Sequence, residues 1–208
     1  MYNLYENRVP EKWKFCYHSL KPLQSWMLDL IKRIEQLTEW AQKGQLNSYW
    51  ISGFSFPTGF TTALQQVSAR KLDISIDSFG WEFNFLPMDA HISNAPKEGA
   101  YLNGLFLEGA RWDYEKNFLI DAEPMKLHYA MPVIHFKPVV TEGKVKQKKG
   151  QNYYICPTFM YPNRSGVREK PSYMFSIQLP CKGNPTTGTL ENDFWIKRGT
   201  ALLMSLAE

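Results

Sequence analysis

Residues 99–113 read GAYLNGLFLEGARWD, and the fold class turns on them. Tyr101, Leu105 and Leu107 recur at period two, while Leu102 and Phe106 fall on the opposite face. A run that is apolar on both faces reads as a buried or barrel strand. Gly104 and Gly109 interrupt it, and glycine inside a strand pattern signals a bulge, a sharp bend or close backbone approach. The run ends in Arg111, Trp112 and Asp113. That triplet reads either as a polar lock or contact for another surface, or as a core tryptophan flanked by two solvated charges.

Outward from there, alternation recurs. Trp81, Phe83 and Phe85 alternate with Glu82 and Asn84. Val133 to Lys137 forms another run, bracketed by Pro132 and Pro138. Tyr153 to Phe159, Tyr173 to Leu179, and Phe194 to Leu206 complete the set. With residues 99–113 these make six strands without helical pattern between them. The sequence therefore predicts an antiparallel sheet closed into a six-stranded β-barrel.

Ahead of the strands the period changes. Leu23, Met27, Leu30, Ile34, Leu37 and Ala41 follow three- and four-residue steps, one apolar face of a helix about five turns long. Pro22 suits its first helical position and Gly44 its stop. Trp26, Ile31 and Trp40 widen the face, so the helix reads as core or as a docking helix. After the apolar crossing at Trp50 to Phe54 comes a second helix, with Thr58 as its expected cap and Phe60, Ala63, Leu64 and Val67 as its stripe. Arg70 and Lys71 fall in its last turn, where cations complement the helix dipole. The fold class is thus α+β: helices followed by a barrel. Residues 1–46 read as a helical lead-in, and residues 47–208 as a short helix plus the barrel.

Composition bounds the function. Hydrophobic residues make up 44% and charged residues 21% of the 208, which fits a folded domain. A net charge of +4 permits an acidic partner without demanding nucleic acid. Cys16, Cys156 and Cys181 lie far apart, without Cys-x-x-Cys spacing, and leave one over, which favours a reducing compartment. No apolar run reaches membrane-spanning length, and the N-terminus shows no signal-peptide pattern. His18, His91, His128 and His135 make no metal-ligand spacing. Glu108 with Asp113, or Asp121 with Glu123, is not forced into an acid/base pair. Residues 183–189, GNPTTGT, carry Thr189 where a phosphate loop needs lysine. Lys144, Lys146, Lys148 and Lys149 cluster in one loop beside Tyr153 and Tyr154. They suit either a solvated tip that discourages edge pairing or an autonomous barrel module binding nucleic acid or acidic ligands. On the residues alone the chain is a module without visible chemistry, whose function lies in what it contacts.

Several separated blocks, in order, carry a resemblance. They are residues 37–40 (LTEW), 50–54 (WISGF), 56–60 (FPTGF), 69–71 (ARK), 76–77 (ID), 104–113 (GLFLEGARWD), 131–135 (MPVIH), 154–157 (YICP) and 195–199 (WIKRG). On these the chain resembles the C-terminal region of dynein heavy chains, most closely the axonemal ones of cilia and flagella. The resemblance implies a non-catalytic segment, helices plus a terminal antiparallel barrel, lying across a ring of ATPase modules in a minus-end-directed microtubule motor. It implies no cofactor in this segment; ATP and Mg belong to the parent motor's ring. The implied partners are those modules and, through the parent chain, intermediate and light chains and microtubules, with neither nucleic acid nor membrane. The implied location is the axoneme, with the cytoplasm as alternative. The expected ring-contact residues are Trp26, Trp40, Arg70, Lys71, Arg111, Trp112 and Asp113.

Overall fold

The computed structural model describes residues 6, 8–13, 19, 21–141, 151–160, 172–182, 192–204 and 206. A 3-10 turn at Glu11–Trp13 precedes helix α1, Leu23–Lys43. Gly44 sits at its C-cap, as the sequence predicts, while Pro22 sits at its N-cap, one residue ahead of the first helical position expected for it. A two-residue strand β1, Tyr49–Trp50, and a 3-10 turn at Ile51–Gly53 lead to helix α2, Pro57–Leu72. Thr58 does not cap α2; Phe56 holds the N-cap position, without a side-chain bond. Proline at the first helical position suffices there, because it has no N–H to satisfy.

The strands form two sheets and not a barrel. The first contains β1, β2 (Phe79–Phe85), β3 (Ala100–Asn103) and β8 (Ile134–Val140), in the order β1-β3-β8-β2. The second contains β4 (Phe106–Glu108), β5 (Arg111–Asp113), β6 (Phe118–Ile120), β7 (His128–Ala130), β9 (Asn152–Phe159), β10 (Tyr173–Cys181) and β11 (Ala201–Leu203). Its order is β5-β6-β10-β9-β11-β4-β7, open at both ends. The closed, six-stranded, antiparallel expectation is therefore corrected on three counts. The sheets are open, they hold more strands, and the β1/β3, β6/β10 and β9/β11 pairs are parallel.

The physical reasons are local. Residues 99–113 are three strands in two sheets, because the backbone turns at Gly104 (φ 89°) and Gly109 (φ 73°). Both angles lie in the left-handed region that glycine occupies without a Cβ penalty. At Gly104 a side chain would also strike the Trp50 ring. Residues 194–206 are not one strand either. A short helix α3, Asn192–Lys197, comes first and β11 follows. Pro138 does not end its strand; it pairs with Trp81 inside β8. The ladder from β3 has already stopped at Ala100↔Phe136, so the missing N–H costs no bond on that side.

One hydrophobic cluster spans both sheets, from Leu102, Ile134 and Phe136 to Leu107, Ile177 and Leu202. Ring contacts stitch the sheets together. Phe85 of the first lies 4.4 Å from Trp112 of the second, and Phe136 lies 5.9 Å from Phe175.

Candidate functional site

Helix α1 is attached by a flank and not by its apolar stripe. Arg33 donates two bonds of 2.7 Å, from Nη1 to the Gly53 carbonyl and from Nη2 to the Ser52 carbonyl. Gln36 clamps the Trp50 backbone: its Oε1 accepts the N–H at 2.7 Å and its Nε2 donates to the carbonyl at 3.2 Å. The Lys32 ammonium lies over the Trp50 ring at 4.3 Å. One turn on, Trp40 meets Tyr49, Phe54 and Phe60 edge-on, at 5.5, 5.6 and 5.9 Å. Positions 33, 36 and 40 share a face at helical spacing. At the base of the helix Trp26 is buried against Trp13, and Lys21 pairs with Asp29 at 2.9 Å.

That attachment turns the stripe outward. Met27, Ile31, Ile34 and Leu37 are each 43–55% exposed, and Leu28 is 62% exposed. Apolar side chains recurring at this spacing normally face a core. Here they form a continuous exposed patch of the kind that marks an interaction surface. Arg33→Met should keep the aliphatic stem and remove both carbonyl bonds. Charge-assisted bonds of this kind contribute about 1.5–3 kcal/mol. The expected result is faster amide hydrogen exchange across residues 26–40 with the sheets still protected. Unchanged exchange would mean that the Trp40 contacts alone hold the helix.

The other expected contact residues separate by environment. Trp112 is buried at 3% exposure, and its Nε1 makes no hydrogen bond. Arg111 is a polar lock. Its Nη1 pairs with Glu123 at 3.3 Å, and its Nε donates to the Asp121 carbonyl at 3.2 Å. The Asp113 carboxylate accepts the N–H groups of Glu115 and Lys116, each at 3.0 Å, and so shapes the β5–β6 turn. Arg70 and Lys71 lie exposed in the last turn of α2. The structure thus places Trp26 and Trp40 on one helix, near its two ends, and Arg70 with Lys71 on another, while Arg111 to Asp113 lie apart in the β5–β6 hairpin. Sequence reasoning passes over Arg33 and Gln36. The available signal is polar residues four and seven positions before Trp40, on the edge of an apolar stripe.

Chemistry is sparse at every other candidate. His135 is tied to the Glu98 carbonyl at 2.8 Å and packs on Tyr101. Burial pushes the Cys156 thiol well above its ordinary value, and Cys181 upward as well, so both stay protonated and poorly nucleophilic. Burial, and then the neighbouring Cys156, raises the Tyr154 phenol, which donates to the Thr200 carbonyl at 2.8 Å. Among the described residues no group of His, Cys, Asp and Glu could hold a metal ion, and no helix is long and apolar enough to cross a membrane. Cys16, His18, the lysines at 144, 146, 148 and 149, and residues 183–189 lie outside the described residues.

Comparison with known proteins agrees with the block matches. The family model for the C-terminal domain of dynein heavy chains matches residues 1–204. The chain is 47% identical over 206 residues to the dynein-1-beta heavy chain of the flagellar inner arm I1 complex of Chlamydomonas reinhardtii, covering 99% of this chain and 4% of that one. It is 44% identical over 205 residues to dynein axonemal heavy chain 2 of Homo sapiens, covering 98% of this chain and 4% of that one. With dynein axonemal heavy chain 1 of Homo sapiens the identity is 37% over 210 residues, covering 98% and 5%. The chain spans only a twentieth or less of these relatives' length. With a family match that covers nearly every residue, the chain belongs to the family of C-terminal domains of dynein heavy chains.

Proposed function

We propose that this chain is a non-catalytic brace within an axonemal dynein heavy chain, working in the axoneme of a cilium or flagellum. The observation that carries the reading is the outward-facing stripe of α1. A helix held by Arg33 and Gln36, with Met27, Ile31 and Ile34 facing solvent, has a second surface left to bury. Nearly all of each relative's length lies outside the matched region, so the same polypeptide offers ample cover. The proposed cover is the ring of ATPase modules, which hold ATP and Mg. Intermediate and light chains and microtubules are reached through the parent chain. Residues 1–46 act as the lead-in that carries the stripe, and residues 47–208 as the body that anchors it. Trp40, Arg70, Lys71 and Arg111, which reach solvent, extend the proposed contact; Trp26 steadies α1, and Trp112 and Asp113 steady the hairpin that carries Arg111.

The mechanism is a difference in contact. A brace shifts a motor's cycle only if it binds one ring conformation better than another. A difference of about 1.4 kcal/mol changes a population ratio tenfold. Such a brace modulates the force and processivity of a minus-end-directed motor without touching nucleotide chemistry.

The test is Ile34→Glu in the parent heavy chain, recording microtubule-stimulated ATPase and stall force together. A charge in the stripe disfavours burial while leaving the docking flank intact. ATPase should persist and stall force should fall, because a brace acts through its differential contact with the ring's conformations. Wild-type force together with wild-type ATPase would remove the stripe from the mechanism. Loss of ATPase would make the segment a structural part of the ring.

A further inference from the structure

A second unfilled surface lies away from the α1 stripe. A groove of about 830 Å³ runs between α2 and the face of the first sheet, closed on one side by the end of α1. Its aromatic wall is Trp40, Tyr49, Phe54 and Phe60. Its floor includes Phe79, Ala100 and Val139. Three ammonium groups, of Lys71, Lys97 and Lys137, border it against one carboxylate, Glu98. Glu98 is already paired with Lys137 at 3.5 Å. Lys71 and Lys97 make no ion pair among the described residues.

We propose that this groove docks a partner peptide segment in extended form, with apolar residues facing the aromatic wall and carboxylates facing Lys71 and Lys97. Two observations select that occupant. The first is charge: a border with two such cations around an apolar trough favours apolar anchors flanked by acidic groups, and disfavours basic ones. The second is length. The lining follows α2 from Phe56 to Leu72, and a helix of 16 residues spans about 24 Å. That is the span of roughly seven residues of extended peptide. Phe56 and Leu72, 70% and 56% exposed, carry the apolar surface to the two ends. The floor is a sheet face, from which side chains project and not backbone bonding groups, so recognition falls to side chains.

The groove shares Trp40 and Lys71 with the proposed bracing contact but not the α1 stripe, and the experiment separates the two through Ile34. The intact heavy chain is titrated into a labelled probe peptide alternating leucine with glutamate, read by fluorescence anisotropy. A second probe carries lysine in place of glutamate. The glutamate probe should bind, and Lys71→Glu with Lys97→Glu should weaken it about tenfold through the lost rim attraction. Ala63→Trp, which fills the trough from an exposed helix position, should weaken it comparably. The lysine probe should bind at least about tenfold less tightly. Ile34→Glu should leave probe binding unchanged. Failure of the bracing reading therefore shows in the motor assay alone. Absence of probe binding, as when ring modules already occupy the groove, overturns the proposal. So does equal binding of the two probes, or binding indifferent to Lys71, Lys97 and Ala63.

Discussion

Trp112→Ala should lower the stability of this fold by about 3–5 kcal/mol, the range for deleting a large buried aromatic side chain. The indole is 3% exposed and belongs to β5, where it pairs with Leu119 of β6. Its ring lies 4.4 Å from Phe85, which is in the other sheet. Removing it opens a cavity where the two sheets meet, beneath two strands of only three residues each. Trp112→Phe sharpens the argument. The Nε1 of Trp112 is buried without a hydrogen-bond partner, so phenylalanine loses volume but no bond. Its cost should be only about 1–2 kcal/mol. Denaturant midpoints of the two variants, at equal slope, check both values. A Trp112→Ala midpoint close to that of Trp112→Phe would mean that the neighbouring side chains collapse into the space.

The same residue shows what a sequence can and cannot reveal. That Trp112 is core is one of the two readings open to the sequence; that it joins two sheets is not. Periodicity reports which residues share a face, but not which strand lies alongside. The 99–113 stretch is legible as strand, and its glycines as bends. The turn at Gly104 divides it between two sheets and the turn at Gly109 separates two strands of one sheet; Gly104 lies against Trp50 and Gly109 against Arg198 and Thr200, neighbours far along the sequence that no local pattern supplies. Residues 194–206 mislead for a related reason. A short apolar run fits strand or helix alike, and the turn after Lys197 rests on Thr200 donating its N–H to the Trp195 carbonyl. Helix α1 is legible to within one residue of its ends, because proline and glycine mark boundaries through local chemistry alone. Its orientation is not legible. A hydrophobic stripe argues for a buried face, and the Arg33 and Gln36 bonds to backbone groups of residues 50–53 override it. The groove is invisible for the same reason: its lining comes from residues 40, 60 and 139, which no local pattern brings together.

Gly109→Ala is the second large expected effect, and it tests how the wider sheet is held. Strand β11 lies between β9 and β4, so the β4–β7 pair joins the ladder of that sheet through it. The turn before β11 rests on the turn after β4. A Cβ at Gly109 would lie 2.5 Å from the Arg198 carbonyl oxygen and 2.9 Å from the Thr200 nitrogen. These are backbone atoms, which cannot swing aside as a side-chain end can. The Thr200 hydroxyl also donates to the Gly109 carbonyl at 3.4 Å, and the Thr200 carbonyl accepts from Tyr154. Displacing that turn therefore pulls on β9 as well as β4. Gly199→Ala is the matched control, placed in the very turn that Gly109 faces. Its φ of 66° carries a similar conformational penalty, but nothing lies within 4 Å of the added carbon. Left-handed backbone alone should cost Gly199→Ala about 1–2 kcal/mol. Gly109→Ala carries that penalty plus the backbone clash, for a total of about 3 kcal/mol or more. Paired thermal or denaturant unfolding curves measure the difference directly. If the two variants unfold together, the β4–β5 turn yields without moving β11. The close contact at Gly109 is then a packing coincidence and not the hinge on which the sheet is assembled.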